Sequence, residues 1–229
     1  MIDVKDVSKQ VTTTEGNLRI LDGISLSVDD GATVAIVGPS GSGKSTLLGI
    51  VAGLDVPTSG TVILNGANIT LMDEEGRAAV RADNVGFVFQ SFHLLPGLTA
   101  LENVVLPLEL NGDASALETA KDYLSRVGLA HRMTHYPRQL SGGEQQRVAV
   151  ARAFACKPRI LFADEPTGNL DTGTGKIIND LLFELNRQEG TTLVLVTHEM
   201  GLAARCSSII QLQAGRQIED SVAVSEKVK

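Results

Sequence analysis

The sequence predicts an α/β fold built on a mostly parallel sheet, with an antiparallel β layer near its N-terminal end and an inserted helical subdomain. Three observations predict it. Short β-branched or apolar runs with glycines beside them recur at Thr33–Val37, Thr61–Leu64, Val85–Phe89, Ile160–Phe162 and Thr192–Val196, several of them apolar at successive positions, as strands buried on both faces are. Segments with helical spacing lie between them, and strand, helix, strand is the order of a parallel sheet. From Thr99 to about Cys156 no convincing strand appears.

In chain order, Ile2, Val4 and Val7 and then Ile24, Leu26 and Val28 alternate over short spans and read as antiparallel strands. The strand Thr33–Val37 is followed by a helical run, Thr46–Val51. Leu117, Ala120, Tyr123, Leu124 and Val127 trace one face of a helix, and Val148–Cys156 continues another. In Gly175–Glu189, Ile177, Ile178, Leu181, Leu182 and Leu185 share a helical stripe. The expected organisation is a single domain over 1–229, with 1–90 and 158–229 forming the sheet core and β layer and 91–157 the helical subdomain. Ser225–Lys229 reads as a frayed end.

Composition excludes several functions. With 27 acidic against 20 basic side chains the formal charge is −7, the wrong sign for a nonspecific binder of nucleic acid. At 43% hydrophobic and 21% charged residues the chain is neither disordered nor fibrous. Its longest nearly apolar run, Leu47–Leu54, contains two glycines and falls far short of the roughly 20 residues of a spanning helix. Met1–Asp6 mixes both charge signs where a signal peptide has a basic patch and then an apolar stretch, so a cytoplasmic location is expected. Cys156 and Cys206, the two cysteines, fit a reducing compartment and are assigned to packing.

Gly38-Pro39-Ser40-Gly41-Ser42-Gly43-Lys44-Ser45 fits the P-loop pattern, after a strand and with Thr46 opening a helix. Glycines let successive backbone N–H groups curl round a phosphate, and the helix N-terminus adds partial positive charge. Lys44 would reach the β and γ phosphates, and the Ser45 hydroxyl would ligate Mg²⁺. The bland alternative is a glycine-rich turn with a solvated lysine. A P-loop alone says nucleoside triphosphate and stops there.

Ile160–Ala163 is a buried strand running into two adjacent carboxylates, Asp164 and Glu165. Burying an acidic pair with nothing to bind is costly, which points to a cation. Asp164 would face Mg²⁺, and Glu165 would take a proton from the attacking water. A solvated turn after a strand is the bland alternative.

Leu140-Ser141-Gly142-Gly143-Glu144-Gln145-Gln146-Arg147 opens the run Val148–Cys156. A Ser N-cap followed by glycines explains Ser141 but not the octet. The octet resembles the signature motif of ABC ATPases, and that family's other motifs follow: Gln90 after a strand, Asp164-Glu165, Asn169-Leu170-Asp171, and His198 after the strand Thr192–Val196. The resemblance covers nearly the whole chain. It is closest to the lipoprotein-releasing and macrolide-exporter (LolD/MacB) group through Asp164–Asp171, Leu94-Leu95-Pro96 and Leu101-Glu102-Asn103-Val104. Within that group, Gly86–Phe92, Leu161–Asp164 and Leu202–Cys206 look most like the YbbA-type ATPase.

The resemblance implies a P-loop NTPase core that binds ATP with Mg²⁺ and closes as an ATP-dependent homodimer. Ser141, Gly142, Gly143 and Glu144 of one subunit would meet the nucleotide of the other. Asp171 would signal across the interface, Gln90 would sense Mg²⁺ and the attacking water, and His198 would hold the γ-phosphate. One departure concerns adenine: the family's usual aromatic platform is replaced by Val11, with only apolar contact expected. Base stacking on an aromatic is worth about 1–3 kcal/mol.

A transport role would require a separately encoded integral-membrane permease, holding the dimer on the cytoplasmic face of the inner membrane. The candidate docking surface is Phe92, Leu94, Leu95, Pro96 and Leu98, either an exposed patch or a part of the helical subdomain's core. The competing class is a soluble ABC ATPase acting on DNA or ribosomes. Such proteins usually carry paired modules, a coiled-coil insertion or basic arms, whereas the stretch from Ser45 to Ser141 has no sustained heptads. A small-molecule P-loop kinase would have no need of the octet.

Overall fold

The computed structural model describes residues 1–14 and 16–218. The frayed end expected at Ser225–Lys229 lies outside them. They form two compact units, one of Met1–Val85 with the described residues from Thr192 onward, the other of Gly86–Thr191.

The first unit holds two sheets. Strands β1 (Ile2–Thr13) and β2 (Gly16–Val28) form an antiparallel hairpin that pairs Ile2 with Val28, Val4 with Leu26 and Val7 with Ile24. From Val4 to Val7 is an odd step, which in a regular strand would turn Val7 to the opposite face. A bulge restores it: the register shifts between Val4 and Val7, and Asp6 takes a φ of 49°. Val4 and Val7 are consequently both buried. Gly60 makes room for the bulge, because a Cβ there would lie 2.5 Å from the Asp6 carbonyl oxygen. Strands β4 (Ser59–Leu64) and β5 (Ala67–Asn68) complete the order β2-β1-β4-β5.

The second sheet of this unit is centred on β3 (Thr33–Val37), which runs parallel to β8 (Thr192–Val196) on one side and β9 (Ser208–Gln213) on the other. Strand β10 (Arg216–Ile218) adds antiparallel to β9. Helix α1 (Lys44–Val51) buries Leu47, Leu48, Ile50 and Val51, while α2 (Glu74–Asn84), N-capped by Asp73, buries none of its residues. A short α7 (Met200–Ala203) follows β8.

In the second unit, β6 (Val85–Phe89) and β7 (Ile160–Asp164) are neighbours. They are accompanied by α3 (Ala100–Leu110), α4 (Ala116–Arg126), α5 (Gly142–Ala155) and α6 (Thr172–Glu189). Two helical faces differ from the sequence expectation. The core face of α4 begins at Ala116, and Leu117 is 48% exposed. On α6 the buried face is Gly175, Ile178, Asn179, Leu182, Leu185 and Asn186, while Ile177 is 61% exposed. In both cases an apolar residue sits about 100° round the helix from the true face, and a hydropathy stripe does not separate the two. Asn186 belongs inside because its Nδ2 donates to the Thr191 carbonyl beyond the helix end.

Candidate functional site

In the first unit the loop after β3 and the segment after β8 emerge from the same end of adjacent parallel strands. Ile36 is paired with Val196, so Gly38 and His198 each stand two residues beyond a paired position. The carboxyl end of a parallel sheet is where ligands bind in such folds. The loop is tightly curled. Gly38 has φ 155°, and a Cβ there would lie 2.2 Å from the Leu212 carbonyl oxygen; Gly43, at φ 98°, is similarly closed in by Leu21 and Ile20. Those are positions that only glycine fills.

Lys44 is 7% exposed, and its Nζ donates to the carbonyls of Gly38 and Pro39, both at 3.0 Å. Ser42 is buried, and its Oγ has no hydrogen-bond partner. Gly43 caps α1 without a side chain, so no side-chain acceptor competes for the helix's first amides. A buried ammonium, an unpaired hydroxyl and a helix N-terminus converge in one loop, and these suit a phosphate. Ser40, Gly41 and Ser45 are exposed at this loop, with Pro39 beside them and Thr46 half-buried. Among the described residues no group of three or more His, Cys, Asp or Glu is gathered for a metal ion. Mg²⁺ held with a nucleotide takes most ligands from phosphate and water, so a hydroxyl and a carboxylate fit its needs. Val11 lies half-exposed on β1, paired with Leu18, which is 56% exposed.

In the second unit, Gln90 directly follows β6, Asp164 is the last residue of β7 and Glu165 directly follows it. The two carboxylates are half-buried, not fully buried as the strand pattern implied. Glu165 has φ 45°, and its carbonyl accepts from Gly168 N at 3.0 Å. Gln90 Nε2 donates to Asn169 Oδ1 and Asn169 Nδ2 donates to the Gln90 carbonyl, both at 3.0 Å. Gly168 lies directly against this pair: a Cβ there would come 2.8 Å from Gln90 Nε2 and displace the Gln90 side chain.

Ser141 is the N-cap of α5 in a complete capping box. Its Oγ accepts from Glu144 N at 3.2 Å and its own N donates to Glu144 Oε2 at 2.8 Å. That backbone donation holds the Glu144 carboxyl below the usual carboxylate range, with Arg132 at 3.0 Å assisting. Gly143 lies against α6, where a Cβ would meet Thr174 Cγ2 at 2.4 Å. Asp171 N-caps α6 through Thr174 N at 3.0 Å, and the Thr174 contacts hold its carboxyl low. A cleft of about 340 Å³ opens here, lined among others by Ser141, Gly142, Gly143, Asn169 and Asp171. The signature segment and the Asn169–Asp171 segment thus share one wall.

The loop after Gln90 is held from inside. Asn103, 1% exposed, accepts from Leu95 N at 2.8 Å and donates to the carbonyls of Leu95, Leu98 and Thr99. Arg152 donates to the carbonyls of Phe92 and His93. Leu95 is 46% exposed and Pro96 is exposed, whereas Phe92, Leu94 and Leu98 are half-buried. Asn103, Arg152 and the buried Gln146 are polar residues that the sequence reading gave no role. An asparagine on an otherwise apolar stretch, Asn103-Val104-Val105, was the only visible signal for the first. Both thiols are packing groups: burial pushes Cys206 up to about 12 and raises Cys156.

Residues 21–168 match the family described as ABC transporter. A protein of Escherichia coli (strain K12) named "Uncharacterized ABC transporter ATP-binding protein YbbA" is 56% identical over 96% of this chain and 98% of its own. The "Lipoprotein-releasing system ATP-binding protein LolD" of Syntrophus aciditrophicus (strain SB) is 49% identical over 94% and 97%. Among solved structures, the dimeric post-hydrolysis state of the ATP-binding cassette MJ0796 bound to ADP and Pi superposes with a TM-score of 0.90 at 40% identity, over 99% of this chain and 100% of that one.

Proposed function

Because this chain belongs to the ABC transporter family and is one of its ATP-binding ATPase subunits, we propose that it closes as a homodimer over Mg-ATP and drives a separately encoded membrane permease of the lipoprotein-release type. The observation that carries the reading is the loop Gly38–Ser45, where the buried Lys44 ammonium and the unpaired Ser42 hydroxyl converge at the start of α1.

The roles follow from the chemistry of each group. Lys44 and the backbone N–H groups of the loop from Gly38 to Thr46, Pro39 having none, would neutralise the phosphates. As the family resemblance implies, Ser45, Gln90 and Asp164 are the residues that would hold Mg²⁺, which when bound would draw off charge from the phosphate oxygens. Glu165 accepts a proton as water attacks the γ-phosphorus and ADP leaves, and His198 orients that phosphate. Ser141, Gly142, Gly143 and Glu144 bring a helix N-terminus to the partner's γ-phosphate, and Asp171 lies beside them on the same cleft. Binding without the partner leaves the site incomplete, so hydrolysis depends on closure.

The permease is the reading's least local part. It draws on the LolD and YbbA relatives and on the exposed Leu95 and Pro96 beside the anchored loop. Among the described residues no helix is long and apolar enough to cross a membrane, so the subunit would sit at the cytoplasmic face of the inner membrane through its partner. The acidic charge of −7 weighs against a nucleic-acid partner. Co-purification from membranes tests it: the chain should bring down a multi-spanning protein, and Leu95→Asp should lose that protein while keeping ATPase activity. Recovery with ribosomes or DNA instead would overturn the reading.

A further inference from the structure

We propose that Gln146 is a positioning residue for hydrolysis, its side-chain amide coupling the signature helix α5 to the turn that carries Glu165. The proposal rests on the reading of Glu165 as the base. Gln146 is fully buried, at 0% exposure. Its Nε2 donates to the Pro166 carbonyl at 2.6 Å and, over a longer 3.4 Å, to the Phe89 carbonyl. Pro166 directly follows Glu165, and Phe89 directly precedes Gln90. One amide therefore touches the backbone beside both residues assigned to the attacking water.

Packing alone does not ask for a glutamine here. The residues that follow on α5, Val148 to Ala151, are buried and apolar. Gln146 Oε1 is buried without any partner, a cost that a methionine of similar length would not incur. What the amide supplies is restraint. Glu165 sits at φ 45°, a left-handed conformation that a residue with a side chain keeps only when its surroundings over-determine it. The Gly168 N–H fixes the Glu165 carbonyl on one side of the turn. Gln146 fixes the Pro166 carbonyl on the other. A helix moves as a rigid rod, so displacement of its N-terminus when a phosphate seats at Ser141 reaches Pro166 through Gln146 and re-aims the Glu165 carboxylate.

The test uses the full chain with Mg-ATP and compares Gln146→Met, which deletes both donors, Gln146→Asn, which keeps an amide one methylene short, and Gln146→His, whose ring Nε2–H has about the reach of the lost donor. Turnover at saturation and the dissociation constant of a fluorescent ATP analogue are measured on each. Met and Asn should lower kcat about tenfold, the worth of one good hydrogen bond, with affinity changed less than about twofold, and His should restore most of the rate. Should Gln146→Met fail to fold, Gln146→Asn carries the same comparison. Wild-type kcat in Met or Asn, or a joint fall of kcat and affinity that His does not rescue, overturns the proposal. Glu165→Gln is run beside them. If it hydrolyses ATP normally, the base assignment fails and the proposal with it; if it is inactive while Gln146→Met is normal, the coupling alone fails.

Discussion

Gln90 and Asn169 hold each other by two hydrogen bonds of 3.0 Å, Gln90 Nε2 donating to Asn169 Oδ1 and Asn169 Nδ2 donating to the Gln90 backbone carbonyl. The pair ties the end of β6 to the segment that leads into α6. Asn169→Ala removes both bonds without touching the phosphate loop. Each is worth about 1 kcal/mol, so kcat at saturating Mg-ATP should fall roughly ten- to thirtyfold if both serve the closed state. Nucleotide affinity should stay within about twofold. Unchanged turnover would show that Gln90 works without this restraint.

Ser141 has two jobs that substitutions separate. As an N-cap acceptor it is replaceable by aspartate, whereas alanine costs about 1 kcal/mol of stability. As a γ-phosphate contact it is not, because aspartate brings a negative charge to an anion. Ser141→Asp keeps a cap acceptor but sets a second carboxylate against Glu144 Oε2, to which the Ser141 Oγ now donates at 2.9 Å, so it should melt below wild type and fail to dimerise with ATP, and Ser141→Ala should lose stability in urea unfolding. A Ser141→Asp chain that still hydrolyses ATP would remove Ser141 from the site.

Tyr123 O–H donates to Glu189 at 2.9 Å, with the Arg126 guanidinium 4.4 Å from the ring centroid and 2.7 Å from the same carboxylate. Burial, aided by Glu189, pushes the phenol from 10.0 up to about 12. The folded state thus keeps a proton that the unfolded chain gives up sooner. Its contribution is complete below about pH 10 and is lost as pH rises toward 12. Tyr123→Phe should cost about 1 kcal/mol at pH 8 and then decline less steeply than wild type between pH 10 and 12. Cys206, also raised to about 12, declines alike in both chains, so the difference in urea midpoints reports Tyr123. Parallel curves would contradict the assignment.

On the proposed reading Val11 would offer adenine only an aliphatic surface, in place of the aromatic platform that the family resemblance implies. Val11→Tyr should tighten ATP more than GTP, by up to the roughly 1–3 kcal/mol of a stacked base. Equal ATP-to-GTP affinity ratios in the two chains, measured by competition, would mean that position 11 does not meet the base.

Much of this was legible in the sequence because it depends on local chemistry. The run Thr33–Val37 ahead of Gly38–Ser45 states a strand and a turn that only glycines can make, and the strand is found at those residues. That Ile2, Val4 and Val7 and then Ile24, Leu26 and Val28 lie on antiparallel strands was legible as alternation, but neither their register nor the bulge at Asp6 was, since the bulge depends on Gly60 across the sheet. Helix α2 gave no signal because its apolar side is only Ala78, Ala79, Val80 and Ala82, none of them fully buried. The burial of Gln146, Asn103 and Asn179 was not legible for the opposite reason: buried amides read as surface residues until their partners are known. Leu117 and Ile177 were misplaced because an apolar residue one step off a helical face looks like a member of it.

The central claim is that hydrolysis needs Glu165 and a closed dimer. Turnover and light scattering of the wild-type chain and of Glu165→Gln, each with Mg-ATP, test it most directly. The account predicts that wild type turns over, while Glu165→Gln binds ATP, loses hydrolysis by at least about a hundredfold and accumulates at twice the monomer mass. A Glu165→Gln chain that keeps its turnover, or that binds ATP and stays monomeric at saturation, would contradict it.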